Sequence, residues 1–105
     1  MSSVSCDLGA FTIEENKRHG ILLNKALAAI KEVKEIEDGF EFSFSSENFL
    51  TIAEWISLEK RCCSFLSFQI GITGNDELFS LTISGPNGTK NMFKSVVQLA
   101  SNELG

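Results

Sequence analysis

Glu59, Cys62 and Cys63 fall within one short stretch, E-K-R-C-C-S-F, with Lys60 and Arg61 between them. The third cysteine, Cys6, lies far away near the N-terminus. Thiolates are soft donors. A convergent set selects Cu(I), Zn(II), Hg(II) or trivalent arsenic over Mg²⁺ or Ca²⁺, which take oxygen ligands. Adjacent cysteines do not form an ordinary disulfide, because the ring is small and a helix aims neighbouring side chains about 100° apart. Glu59 precedes the two sulfurs by about one helical turn, so its carboxylate can ligate, relay a proton or accept a hydrogen bond. Lys60 and Arg61 favour thiolate, whereas the negative end of a helix dipole opposes it. The candidate metal ligands are Cys62 and Cys63, with Cys6 as a third thiolate if the N-terminal arm folds over them, and Glu59 in support. There is no C-x-x-C and no second cysteine pair, which does not fit a closed four-ligand zinc site. A plain packing role stands beside this one. Reduced cysteine is a small, commonly buried residue, and Cys63 continues the stripe of Phe49, Ile52 and Ile56 about two turns on.

The surrounding pattern specifies the elements that must hold these residues. Residues 1–10 are small and polar, a short strand or an ordered arm. Thr12 and Glu15 form a T-x-x-E capping box, and Ile13, Leu23, Ala26, Leu27 and Ile30 recur at helical spacing to about Lys31. Val33 and Ile36 lead into Asp38-Gly39, a hairpin turn signal. Phe40, Phe42 and Phe44 alternate with Glu41, Ser43 and Ser45, the period of a strand with one buried face. Ser46 opens a second helix, with Phe49, Ile52, Ala53 and Ile56 as its core stripe, widened by Trp55 and Leu58. Lys60 and Arg61 suit its last turn, so it ends near Cys63 or Ser64. Two strands, F-L-S-F-Q-I-G-I and L-F-S-L-T-I-S-G, flank Gly74-Asn75-Asp76 as a second hairpin. G-P-N-G-T then turns the chain into a last helix bearing Met92, Phe93, Val96, Val97, Ala100 and Leu104 on one side. The order α-β-β-α-β-β-α predicts an α+β fold: a four-stranded, mainly antiparallel sheet with three helices on one face.

The 105 residues are expected to form a single domain, and nine phenylalanines supply its core. Each fully buried ring contributes roughly 2 kcal/mol. A net charge of −5 without a basic face argues against a nucleic-acid partner. No apolar run approaches a membrane span, and the N-terminus lacks the features of a signal peptide. The expected location is the cytoplasm, where thiols stay reduced, and an odd cysteine count does not make a disulfide framework. His19, among Lys17, Arg18 and Gly20, reads as a residue of the solvated helix face. G-P-N-G-T-K lacks phosphate-loop spacing and reads as a turn. The acidic K-E-I-E-D segment reads as a solvated edge, and Trp55 as core rather than a base-stacking platform.

The block L-E-K-R-C-C-S-F-L-S-F-Q-I, followed by L-F-S-L-T-I-S-G-P-N-G-T-K, resembles a group of small bacterial proteins. They share E-x-x-C-C-x-F-x-x-F and a later strand ending in a small residue, Pro and Gly. Members also carry a cysteine near the N-terminus, a position matched by Cys6. The resemblance spans residues 5–95, and its specific part is Glu59–Phe68 with Gly85-Pro86-Asn87-Gly88. Some of the group look like companions of mercury and arsenic handling systems, which implies a soft-metal or metalloid role. Three functions remain open: soft-metal binding through the cysteines, thiol redox chemistry with one cysteine attacking and one resolving, and an interaction module with cysteines in its core. The last would take a protein partner or a second copy. Without C-x-x-C, a thioredoxin-like mechanism is disfavoured.

Overall fold

Thr12 begins the first helix as its spacing predicts. Its hydroxyl accepts from the Glu15 backbone N–H at 3.1 Å, and Glu15 Oε1 accepts from the Thr12 N–H at 3.0 Å. Two of the helix's orphan donors are thereby satisfied. The computed structural model of the protein describes residues 8–74 and 77–104, with the side chains of 8, 95, 96 and 99–104 excepted. Cys6 and the Asn75-Asp76 hairpin tip therefore lie outside the described residues. Helix α1 spans Ile13–Ala29, and strand β1, Ile30–Ile36, follows it directly. Strand β2 is Gly39–Ser45, α2 is Phe49–Cys62, β3 is Ser67–Ile72, β4 is Leu78–Ser84 and α3 is Thr89–Leu104.

The sheet has the order β1-β2-β4-β3, and every pairing is antiparallel. The α+β fold and the α-β-β-α-β-β-α order are those expected. Opposed residues of antiparallel strands share a face, so Phe40 meets Ile83, Phe42 meets Leu81 and Phe44 meets Phe79. All six are buried, whereas Glu41 and Ser43 lie only half-buried on the other face. Leu22 and Ala26 of α1, Ile52 and Trp55 of α2 and Phe93 of α3 close over these rings in one core. A bulge between Ile30 and Glu32 sets both Ile30 and Val33 against the core side.

Three local expectations change. The first hairpin turns at Glu37-Asp38, and Gly39 already pairs with Ile36. Gly39 is needed because a Cβ there would strike the Ile83 carbonyl of the neighbouring strand. The second helix starts later than Ser46: Ser46–Asn48 forms a single 3₁₀ turn, and no side-chain cap bond is made at Ser45 or Asn48. Ile13, expected in the apolar stripe, is 77% exposed. In the last helix Phe93 is buried and Met92 and Val97 pack against the core. The other positions of that face, Val96, Ala100 and Leu104, fall among the excepted side chains. No helix among the described residues is long and apolar enough to cross a membrane.

Gly39→Ala is expected to lower unfolding free energy by about 1–3 kcal/mol, through the backbone collision. Gly20 lies inside α1 with open space where a Cβ would stand. Gly20→Ala should therefore raise stability by about 0.5–1 kcal/mol, since alanine loses less chain entropy in a helix. Urea unfolding of both variants checks the pair.

Candidate functional site

Helix α2 buries a line of residues at helical spacing: Ile52, Trp55, Glu59 and Cys62. Ile52 and Trp55 belong to the expected stripe, whereas its other members Phe49, Ala53 and Ile56 are only half-buried and the buried line continues through Glu59 instead. Glu59 thus enters the core at a position an apolar residue would ordinarily fill. Its side chain is 9% exposed, and its Oε2 lies 2.6 Å from His19 Nε2. His19 shares the inner face of α1 with Leu22 and Ala26, three and seven positions on. Its side chain is 14% exposed, so the solvated placement expected for it is overturned. The Phe11 ring, 5.4 Å away, helps shield it.

The helix end falls where Lys60 and Arg61 predict it. Cys62 is the last residue of α2 and Cys63 its C-cap, whose N–H donates to the Glu59 carbonyl at 2.7 Å. Leaving helical geometry at Cys63 (φ −119°, ψ 68°) turns two neighbouring sulfurs toward each other, and they stand 3.4 Å apart. Cys63 Sγ is 3.2 Å from Glu59 Oε1, and Cys62 Sγ is 3.6 Å from the Glu59 carbonyl oxygen. Glu59 therefore reaches His19 with one carboxylate oxygen and the cysteine pair with the other. A single ligand atom each from His19, Glu59 and Cys62 all lie within 4.8 Å of one another.

Cys63 is disulfide-bonded. The reduced state expected for every cysteine thus does not hold at Cys63. Cys62 and Cys63 are both buried, at 3% and 0% exposure. Of the expected ligands, Cys62, Cys63 and Glu59 come together, while Cys6 lies outside the described residues. His19 is the residue that sequence reasoning missed. Its signal was its helical phase with Leu22 and Ala26, hidden by the charged residues around it.

Two exposed ion pairs flank the buried His19–Glu59 hydrogen bond and fasten α1 to α2. Arg18 donates to both carboxylate oxygens of Glu54, from Nε at 2.7 Å and Nη2 at 2.6 Å. Arg61 pairs with Glu15, donates to the Ala10 carbonyl at 3.2 Å and lies over the Phe11 ring at 5.3 Å. Glu15, at the start of α1, meets Arg61, at the end of α2, and Arg18, further along α1, meets Glu54, earlier in α2, so the helices run antiparallel. The Arg61 hydrogen bond holds the Glu15 carboxyl down at about 2, helped by the Thr12 backbone N–H. Arg18 lowers Glu54 in the same way. No protein-family model matches the chain, and no curated protein or solved structure matches it either.

The depressed Glu15 value fixes a pH dependence. Its contribution to stability is fully present above its ordinary value of 4.5 and is lost as pH falls toward about 2. Glu15→Gln should therefore flatten the acid limb of stability in that window and leave the Glu54 component in place. Chemical denaturation from pH 5 to pH 2, in about unit steps, measures it.

Proposed function

We propose that the chain binds a thiophilic or borderline transition-metal ion, or a metalloid, through Cys62, Glu59 and His19, with Cys63 beside them. The observation that supports this reading is the convergence of imidazole, carboxylate and thiol within 4.8 Å. Sulfur, nitrogen and carboxylate oxygen together suit Zn(II) and related ions far better than Mg²⁺ or Ca²⁺. His19 is an addition to the expected set of Cys6, Cys62, Cys63 and Glu59. The resemblance to proteins accompanying mercury and arsenic handling points to the same class of ligand.

Binding must open the His19–Glu59 hydrogen bond. Their atoms are 2.6 Å apart, whereas two ligands about 2.1 Å from a tetrahedral ion stand about 3.4 Å apart. The ion takes the place of the shared proton, and a shift of about 1 Å accommodates it. Shielding by Phe11 limits access of water to the same donors.

Competition of the reduced protein with a chromophoric chelator for Zn(II) tests the reading, and Co(II) reports geometry through its visible bands. Cys62→Ser and His19→Gln should each weaken binding by roughly tenfold or more, at least the effect of losing an outer-sphere partner. Circular dichroism confirms that the variants fold. Unchanged affinity in both variants would remove the site.

One observation favours a second reading, an interaction module whose cysteines are structural. Ile70 and Ile72 lie on the edge strand β3 and are 38% and 67% exposed, although they oppose the core residues Leu81 and Phe79. An apolar edge of this kind suits a protein partner or a second copy. Sedimentation would show self-association that Ile72→Lys abolishes; a monomer at all concentrations leaves no second-copy role.

A further inference from the structure

The donors of the proposed metal site differ in how far they stand from solvent. Cys62 and Cys63 are fully enclosed, and the Glu59 side chain is 9% exposed. His19, at 14%, is the outermost. An ion therefore reaches the cluster most directly from the His19 side. Two layers cover that side. The Phe11 ring lies against the imidazole, with centroids 5.4 Å apart. The Arg61 guanidinium lies over the Phe11 ring in turn, 5.3 Å from its centroid. Arg61 Nη1 pairs with Glu15 Oε2, and Nη2 donates to Glu15 Oε1 and to the Ala10 carbonyl, each at 3.2 Å. Ala10 immediately precedes Phe11, so one side chain clasps both the ring and the backbone that carries it.

We propose that the Phe11 ring is the gate of the metal site and that Arg61 is the positioning residue that latches it shut. The proposal rests on the metal reading and adds to it the route of entry and the control of rate. The latch is weak by construction. Its ion pair and its cation–π contact are made by a half-exposed side chain, and such contacts hold loosely. Thr12, the next residue, is fixed by the capping box, so the ring can swing on its own torsions while α1 keeps its start.

Swinging the ring out uncovers the imidazole. The incoming ion is taken first by His19. It then displaces the proton held between His19 and Glu59, which leaves to solvent, and reaches Cys62. Closure of the ring leaves an apolar wall in place of hydrating water. That favours ions that exchange water for nitrogen and sulfur donors, and disfavours Mg²⁺, which dehydrates reluctantly.

A gate and a support differ in kinetic signature. A gate sets the barrier for entry and exit alike, so association and dissociation change together and affinity is kept. A support acts on the bound state, and its loss speeds release alone. Stopped-flow mixing of the reduced full chain with Zn(II), and of the zinc-loaded chain with excess chelator, measures both rates. Phe11→Ala should raise both by about tenfold, with affinity within about threefold of wild type. Phe11→Tyr keeps the ring and should keep the wild-type rates. Arg61→Lys keeps the charge but not the planar clasp, and should raise both rates by about threefold. That rise should persist at high salt, where electrostatic steering of a cation is screened. Arg61 is 47% exposed, so its variant decides the matter even where Phe11→Ala fails to fold. Unchanged rates in Arg61→Lys, or in a folded Phe11→Ala, overturn the gate. So does faster release without faster binding, which leaves Phe11 a packing role alone. An Arg61→Lys effect that vanishes at high salt overturns the latch. Zinc binding with unaltered rates removes the gate and spares the metal reading, whereas no zinc binding by the wild type removes both.

Discussion

A carboxyl group with 7% of its residue surface exposed cannot sit in a protein interior without partners. Glu59 is that group, and the α1–α2 pair is arranged around it. His19 meets one oxygen at 2.6 Å and Cys63 approaches the other at 3.2 Å. Breaking such a buried pair by removing one partner commonly costs about 3–5 kcal/mol, whereas an apolar replacement of both can be neutral. Stability alone therefore does not account for a glutamate in this line. An apolar residue between Trp55 and Cys62 would pack α1 against α2 without needing a histidine opposite.

The rest of the fold supplies rigidity to that constellation. The opposed pairs Phe40–Ile83, Phe42–Leu81 and Phe44–Phe79 give the sheet a continuous apolar face, with Phe44 and Phe79 stacked at 5.4 Å. Trp55, one turn before Glu59, rests edge-on against Phe68 of β3 at 6.4 Å. This contact fixes the rotation of α2 about its axis, and rotation decides whether Glu59 faces His19 or solvent. Trp55 Nε1 has no hydrogen-bond partner among the described residues, a cost of burying the indole where its ring is needed. The exposed Arg18–Glu54 and Arg61–Glu15 pairs add little stability singly, but they set the sliding register of the two helices.

The fold was legible in the sequence because its signals are local and periodic. The Phe40–Phe42–Phe44 alternation, the Thr12–Glu15 box and the basic end of α2 each act within a few residues. The failures are of a different kind. Of the line Ile52–Trp55–Glu59–Cys62, Ile52 and Trp55 were read as core, but Glu59 was not, because a charged residue breaks the apolar pattern, and the stripe was centred on Phe49 and Ile56, which pack only at the core's margin. His19 was assigned to solvent for the same reason: its sequence neighbours are charged, but its neighbours in space are Phe11 and Glu59. Glu59 was placed near the cysteines correctly, since one helical turn joins them. His19 and Glu59 stand forty positions apart in sequence, and nothing local signals their meeting. The Asp38-Gly39 turn was misplaced by one residue because Gly39 answers to the distant Ile83 carbonyl rather than to turn geometry.

The separation of the two sulfurs also bears on which ions such a site would accept. Thiolates about 2.3 Å from a common tetrahedral ion are about 3.8 Å apart, and in linear two-coordination about 4.6 Å. The observed 3.4 Å lies close to the first value and more than 1 Å short of the second. Cys62 ends a helix packed into the core and Cys63 is tied by its N–H to the same helix, so their sulfurs cannot spread freely. A linear ion held by this pair alone would have to unwind the last turn of α2. With Cys63 reduced to its thiolate, a four-coordinate ion would need only the His19–Glu59 hydrogen bond to open, a side-chain movement. The donors nearest the sulfurs are therefore part of the selectivity, because the backbone geometry that brings the cysteines together also prevents them from acting as an isolated pair.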